Sequence, residues 1–141
     1  RRSVALSLAD HHAAQRGGST AFTPAVQVAY ALDEALAELL EEGLAARVER
    51  YAAAAALLRG GFERLRLWFL LPPALRSNTV TALRLPPGRT YQELHDGLKH
   101  RGFVVYAGQG RLEAEIFRVA NMGALRTADF TRFLDALGEV V

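Results

Sequence analysis

The chain has 141 residues, half of them hydrophobic, which is enough for one ordinary domain with a buried core. Its 17 Lys and Arg against 15 Asp and Glu leave a net charge of +2, with no basic cluster interleaved by aromatics, so neither composition nor patterning points to a nucleic-acid partner. Cysteine is absent, which excludes a disulfide framework and a thiolate metal site, and no apolar run is long enough to cross a bilayer, so a cytoplasmic protein without a membrane partner is expected.

Residues 3–15 mix Val4, Leu6 and Leu8 with Asp10, His11 and His12 and read as a weak helix. Asp10-His11-His12 carries metal-ligand types, but adjacent helical side chains point about 100° apart and no third ligand is spaced to join them; solvated surface, and no metal, is the expectation. Arg16-Gly17-Gly18-Ser19 breaks the chain. Thr23-Pro24 then reads as a helix start, a hydroxyl at the N-cap and proline at the first helical position. A long helix is expected from Pro24 to about Glu42, with Val28, Ala31, Leu32, Ala35, Leu36, Leu39 and Leu40 forming one stripe and Gly43 ending it. A second helix is expected from Leu44 to Arg59, stopped by Gly60-Gly61. The alanine run 52–56 suits either a close helix contact or simple helix propensity.

From residue 65 the texture changes. Residues 65–71 are dense in large apolar side chains and end at Pro72-Pro73, which predicts a strand; residues 79–85, closed by Pro86-Pro87-Gly88, predict another. Thr90 is positioned to cap a short helix over residues 91–101 that carries Leu94 and Leu98 on one face. His95 and His100, five apart, do not converge and are expected at the surface. Residues 103–106 predict a short strand bounded by glycines, and residues 116–120 a second one in which Phe117 and Val119 share one face and Ile116, Arg118 and Ala120 the other. Thr127 is expected to cap a closing helix whose apolar face is Phe130, Phe133, Leu134 and Leu137.

This order predicts an α+β fold, a small mostly antiparallel sheet with helices packed on one face, preceded by a long helix. No P-loop, dinucleotide-binding glycine pattern or nucleophile elbow is present. Two features suit an anion. Arg118 lies inside an otherwise apolar strand, where a guanidinium needs a partner: an internal carboxylate, a wet edge, or the carboxylate of a ligand. The helix start at Thr23 is the other.

Taken together, Phe22-Thr23 before the long helix, Arg76-Ser77-Asn78-Thr79-Val80-Thr81 followed by Tyr91-Gln92-Glu93-Leu94, Arg101-Gly102-Phe103-Val104-Val105-Tyr106, and Phe117-Arg118-Val119-Ala120-Asn121-Met122-Gly123 resemble the C-terminal part of the class V aminotransferases, pyridoxal-phosphate enzymes of fold type I. Within them the chain resembles the 2-aminoethylphosphonate:pyruvate transaminases, with the alanine:glyoxylate aminotransferases as near relatives. The resemblance implies a tail of the cofactor domain over residues 1–22 and a C-terminal small domain with its linking helices over residues 23–141. It implies a homodimer, a small-molecule amino donor and a 2-keto acid as substrates, Arg118 as the grip on the substrate carboxylate, and Thr23 as a contact to the pyridoxal 5'-phosphate of the neighbouring subunit. It also implies that the lysine holding the cofactor lies upstream, so that these residues alone carry no catalytic group and are inactive. The sequence departs from the family pattern at Tyr106-Ala107-Gly108-Gln109, where the family has Tyr-Pro-Gly-Lys, at Ala120, where it has Gly, and at Pro24-Ala25 in place of Ser-Pro. The alternative is a free-standing α+β ligand-binding or dimerisation module without catalysis.

Overall fold

The computed structural model describes residues 4–141. The chain divides into two compact units, Arg1–Gly43 and Leu44–Val141.

The first unit is helical. Helix α1 spans Leu8–Arg16 and helix α2 spans Val26–Glu42. Of the weak helix expected over residues 3–15, Ser3 lies outside the described residues. His11 uses Nε2 in a 2.9 Å bond to the Ala5 carbonyl, and its ring lies 5.6 Å from that of Phe22. Helix α2 starts two residues later than the Thr23-Pro24 signal suggests, with Ala25 at the N-cap. The cause is local: Ala25 sits at φ −76° and ψ 70°, and the Val26 N–H closes back on the Pro24 carbonyl at 2.9 Å, an inverse γ-turn that precedes the first helical turn. The end falls at Gly43, whose φ of 83° is open to glycine at little cost. The apolar stripe of α2 forms with its helical period, yet Val28, Leu32, Leu36 and Leu40 all remain exposed.

The second unit holds the core. Helix α3, Leu44–Arg64, runs five residues beyond the expected stop. Gly60-Gly61 does not end it, because Gly61 serves packing: a Cβ there would lie within 2.4 Å of the Leu134 methyls, so the missing side chain lets helix α5, Thr127–Gly138, come close. The actual end is a Schellman turn. Arg66 N–H bonds the Glu63 carbonyl and Leu67 N–H the Phe62 carbonyl, with Arg66 at φ 55° in the position that glycine usually takes. Helix α4, Tyr91–His100, begins with a capping box in which Thr90 and Glu93 satisfy each other's backbone N–H groups. It ends in the same turn as α3, here with Gly102 at φ 85°. Thr127 is the first helical residue of α5 rather than its cap; the Asp129 carboxylate accepts the Arg126 N–H at 3.0 Å and does the capping.

Three strands form the sheet: β1, Val80–Arg84; β2, Tyr106–Ala107; and β3, Ile116–Ala120, in the order β1-β3-β2 with both pairings antiparallel. Strand β3 has the expected bounds. The strand expected over residues 103–106 shrinks to its last residue plus Ala107, because the backbone before it is already committed: Phe103 N–H closes the α4 end, and the Val105 carbonyl accepts the Tyr91 hydroxyl at 2.9 Å. The strand expected over residues 65–71 is reduced to one bridge, Phe69 to Leu83, since residues 65–67 are used by the α3 end.

Side chains from α3, α4 and α5 bury one face of the sheet. Leu83 and Phe117, partners across β1 and β3, are fully buried under Leu58, Phe62, Leu94, Leu98 and Leu137. Phe133 meets Phe62 and Phe103 edge-on at centroid distances of 6.5 and 5.5 Å.

Candidate functional site

Strand alternation turns every second residue to the opposite face of the sheet. On the middle strand that residue is Arg118. Its partners in register are Ala82 on β1 and Tyr106 on β2, and the Leu70 N–H bonds the Ala82 carbonyl at 3.0 Å, so Leu70, Ala82, Arg118 and Tyr106 form one row across the face opposite to Leu83 and Phe117. Arg118 is half-buried, whereas Tyr106 is 64% exposed.

The guanidinium is oriented by the strand beside it. Arg118 Nε donates to the Ala107 carbonyl at 2.9 Å, which restrains the plane of the fork and leaves the two terminal nitrogens outside that bond. Among the described residues the ion pairs of this unit lie elsewhere, Arg84 with Glu115, Arg101 with Glu139, and Arg126 and Arg132 with Asp129. Arg118 takes part in none of those pairs, and the group it meets is the neutral Ala107 carbonyl.

Four features hold this frame. The loop from β2 to β3 closes on Gly108, where a Cβ would fall 2.2 Å from the Leu112 carbonyl oxygen and 2.8 Å from Ile116, so only glycine fits. Beyond β3, buried Asn121 donates from Nδ2 to the carbonyls of Asn78 and Tyr51 at 3.0 and 3.3 Å, while its own N–H bonds Thr79. The next turn is held from α3 on both sides of Gly123, by Tyr51 Oη on its N–H and by Arg50 Nη1 on its carbonyl. Arg59 reaches from α3 to the Ser77 carbonyl at the entrance to β1. Sequence reasoning placed none of Asn121, Tyr51, Arg50 or Arg59 in a role; Asn121 alone carried a signal, as an amide within a run otherwise made for burial.

Thr23 belongs to the first unit and is exposed, two residues before the N-cap of α2, and makes no cap bond to that helix. The chain's one lysine, Lys99, is exposed in the last turn of α4, a helix of the layer that covers the face opposite to Arg118. His95 packs its ring 5.6 Å from Tyr91 and bonds Asp96, and His100 bonds the Asp96 carbonyl. Among the described residues no three His, Asp or Glu side chains gather as metal ligands. No helix is long and apolar enough to cross a membrane among those residues.

No family model matches the chain. It is 33% identical over 143 aligned residues to the 2-aminoethylphosphonate–pyruvate transaminase of Pseudomonas aeruginosa, an alignment that covers 99% of this chain and 38% of that protein. Among solved structures it is similar to the alanine–glyoxylate aminotransferase of a Nostoc species, with a TM-score of 0.83 and 25% identity over 99% of this chain and 39% of that one. It is likewise similar to an aspartate aminotransferase of subgroup IV from Thermus thermophilus, with a TM-score of 0.77 and 32% identity over 99% of this chain and 40% of the other. The chain thus spans well under half the length of the relatives it matches. In sequence and in fold it is similar to the C-terminal portions of class V aminotransferases.

Proposed function

We propose that this chain is the substrate-holding part of a pyridoxal-phosphate-dependent aminotransferase, an enzyme that moves an amino group from a small amine or amino acid to a 2-keto acid. Pyruvate as acceptor and 2-aminoethylphosphonate as donor follow the name of the Pseudomonas aeruginosa relative. The observation that carries the reading is Arg118: half-buried on the open sheet face, locked in plane by Ala107, and without a carboxylate partner among the ion pairs of its unit. Because Nε is spent on a backbone carbonyl, a substrate carboxylate meets the fork end-on through the two Nη groups. Such paired, charge-assisted bonds set both position and orientation. Holding the acid group in one plane aims the reacting carbon and excludes unproductive poses.

The cofactor, when bound, supplies the electron sink for the chemistry. Lys99 does not suit the cofactor's aldehyde anchor, since it is exposed on the helix layer across the sheet from Arg118. The anchoring lysine in this proposal lies outside residues 1–141, and the residues by themselves are catalytically inert. Residues 1–22 are read as the tail of the cofactor domain and residues 23–141 as the small domain with its linking helices. Thr23 offers a hydroxyl to the cofactor phosphate of a neighbouring subunit in a homodimer; its exposure and lack of a capping bond leave that hydroxyl available.

Transamination by the full-length protein tests the reading. Arg118→Ala is expected to raise KM for the keto acid by about 100-fold, the scale of losing a charge-assisted pair. An unchanged KM would remove Arg118 from the role. Absence from the full-length protein of an absorbance band that borohydride bleaches would favour a non-catalytic binding module instead.

A further inference from the structure

We infer that Tyr106 is a second substrate-binding residue of the same site, its phenol O–H donating to the carboxylate that Arg118 holds and its ring walling one side of the slot. The inference rests on the assignment of Arg118 above. Tyr106 is the in-register partner of Arg118 on the neighbouring strand, so the two side chains rise from the same face about 5 Å apart at their bases. The next residue along, Ala107, receives the Arg118 Nε–H, which ties the two strands together where the site needs rigidity.

The other tyrosines of the second unit show what Tyr106 does not do. Tyr91 is partly buried and spends its hydroxyl on the Val105 carbonyl; Tyr51 spends its hydroxyl on the Gly123 N–H. Tyr106 is 64% exposed, and among the described residues its hydroxyl has no hydrogen-bond partner and its ring no cation–π contact with Arg118. A tyrosine on a short, rigid strand has two torsions to order, so it presents a donor at low entropic cost. On the other side of Arg118 stands Ala82, whose methyl leaves the row open as far as Leu70. The row is therefore bulky at Tyr106 and small at Ala82. That asymmetry sends the carbon chain of a small 2-keto or 2-amino acid over Ala82 while its carboxylate lies between Arg118 and the phenol.

The test is a double-mutant cycle in the full-length enzyme with Tyr106→Phe, Arg118→Ala and both together. Tyr106→Phe keeps the ring and removes the donor, so KM for the keto acid is expected to rise about tenfold, the scale of one hydrogen bond to a charged group, with kcat and the thermal midpoint little changed. In the Arg118→Ala background the same change should have less than about a twofold effect, because the shared carboxylate is no longer held there. The inference is overturned if Tyr106→Phe leaves KM unchanged while Arg118→Ala raises it. It is equally overturned if Tyr106→Phe raises KM by one factor in both backgrounds, since the phenol would then act apart from the arginine. An Arg118→Ala enzyme with unaltered KM would sink the assignment of Arg118, and this inference with it.

Discussion

The two faces of the three-stranded sheet are cut from alternate residues of the same strands, and they have opposite fates. On one, Leu83 and Phe117 are fully buried beneath three helices. On the other, Ala82 and Arg118 are only partly buried and Tyr106 is 64% exposed, the three standing in one row. The packed face derives its energy from apolar area removed from water, where a lost methylene is felt at once. The other face keeps a polar fork half-buried and a phenol exposed, which contributes less to stability and offers groups that can bind. One strand thereby provides both stability and recognition, separated by a period of two.

Substitutions should divide along the same line. The largest effect is expected from Phe117→Ala, which removes a fully buried ring from the packed face and should cost about 3–5 kcal/mol of unfolding free energy, read from the urea midpoint of this chain. Next come the helices behind that face. Gly61→Ala would drive a Cβ into Leu134 and is expected to destabilise by about 1–3 kcal/mol, net of any helix-propensity gain, while Gly60→Ala, with only the Arg64 side chain within reach at 3.6 Å, should stabilise by about 0.5–1 kcal/mol. Equal effects at the two positions would show that close packing at Gly61 is not what the pair provides. On the other face Arg118→Ala should cost only the bond to Ala107, about 0.5–1.5 kcal/mol, while impairing the full-length enzyme, so a loss as large as that at Phe117 would blur the division between the faces.

The smallest effect belongs to neither face. The Glu93 carboxyl is held below its ordinary value of 4.5, chiefly by the Thr90 backbone N–H and then by the Thr90 hydroxyl. A depressed carboxylate stabilises the folded state above the unfolded value, and that contribution fades as pH falls through the lower folded value. The acid limb of thermal unfolding should therefore be slightly shallower in Glu93→Gln, where an amide oxygen still accepts the bond but no longer titrates; an identical limb would deny the carboxylate that role. Because the group is solvent-exposed the change is expected to be small.

Legibility in the sequence followed the same physics. Strand β3, the capped start of α4 and the end of α2 at Gly43 could be read from alternation, a hydroxyl at the N-cap position, and a glycine after a periodic run. The ends of α3 and α4 are the same turn. Gly102 announces one, whereas Arg66 adopts the left-handed position at the other without any compositional sign, and Gly60-Gly61 gives a false stop five residues early. Residues 65–71 and 103–106 have strand composition but make only fragments of strand, because neighbouring helix ends and the Tyr91 hydroxyl claim their backbone groups first.

Local signals, then, determined the order and type of most elements and singled out Arg118 as a charge in need of a partner, because side-chain period, capping chemistry and turn residues act within a few positions along the chain. Three things were decided by tertiary structure alone: that the Arg118 fork is planed by Ala107, that Tyr106 stands beside it, and that Asn121 ties β3 to α3 and to the entrance of β1. Each depends on pairing between segments remote in sequence, where register, rather than composition, sets which atoms meet.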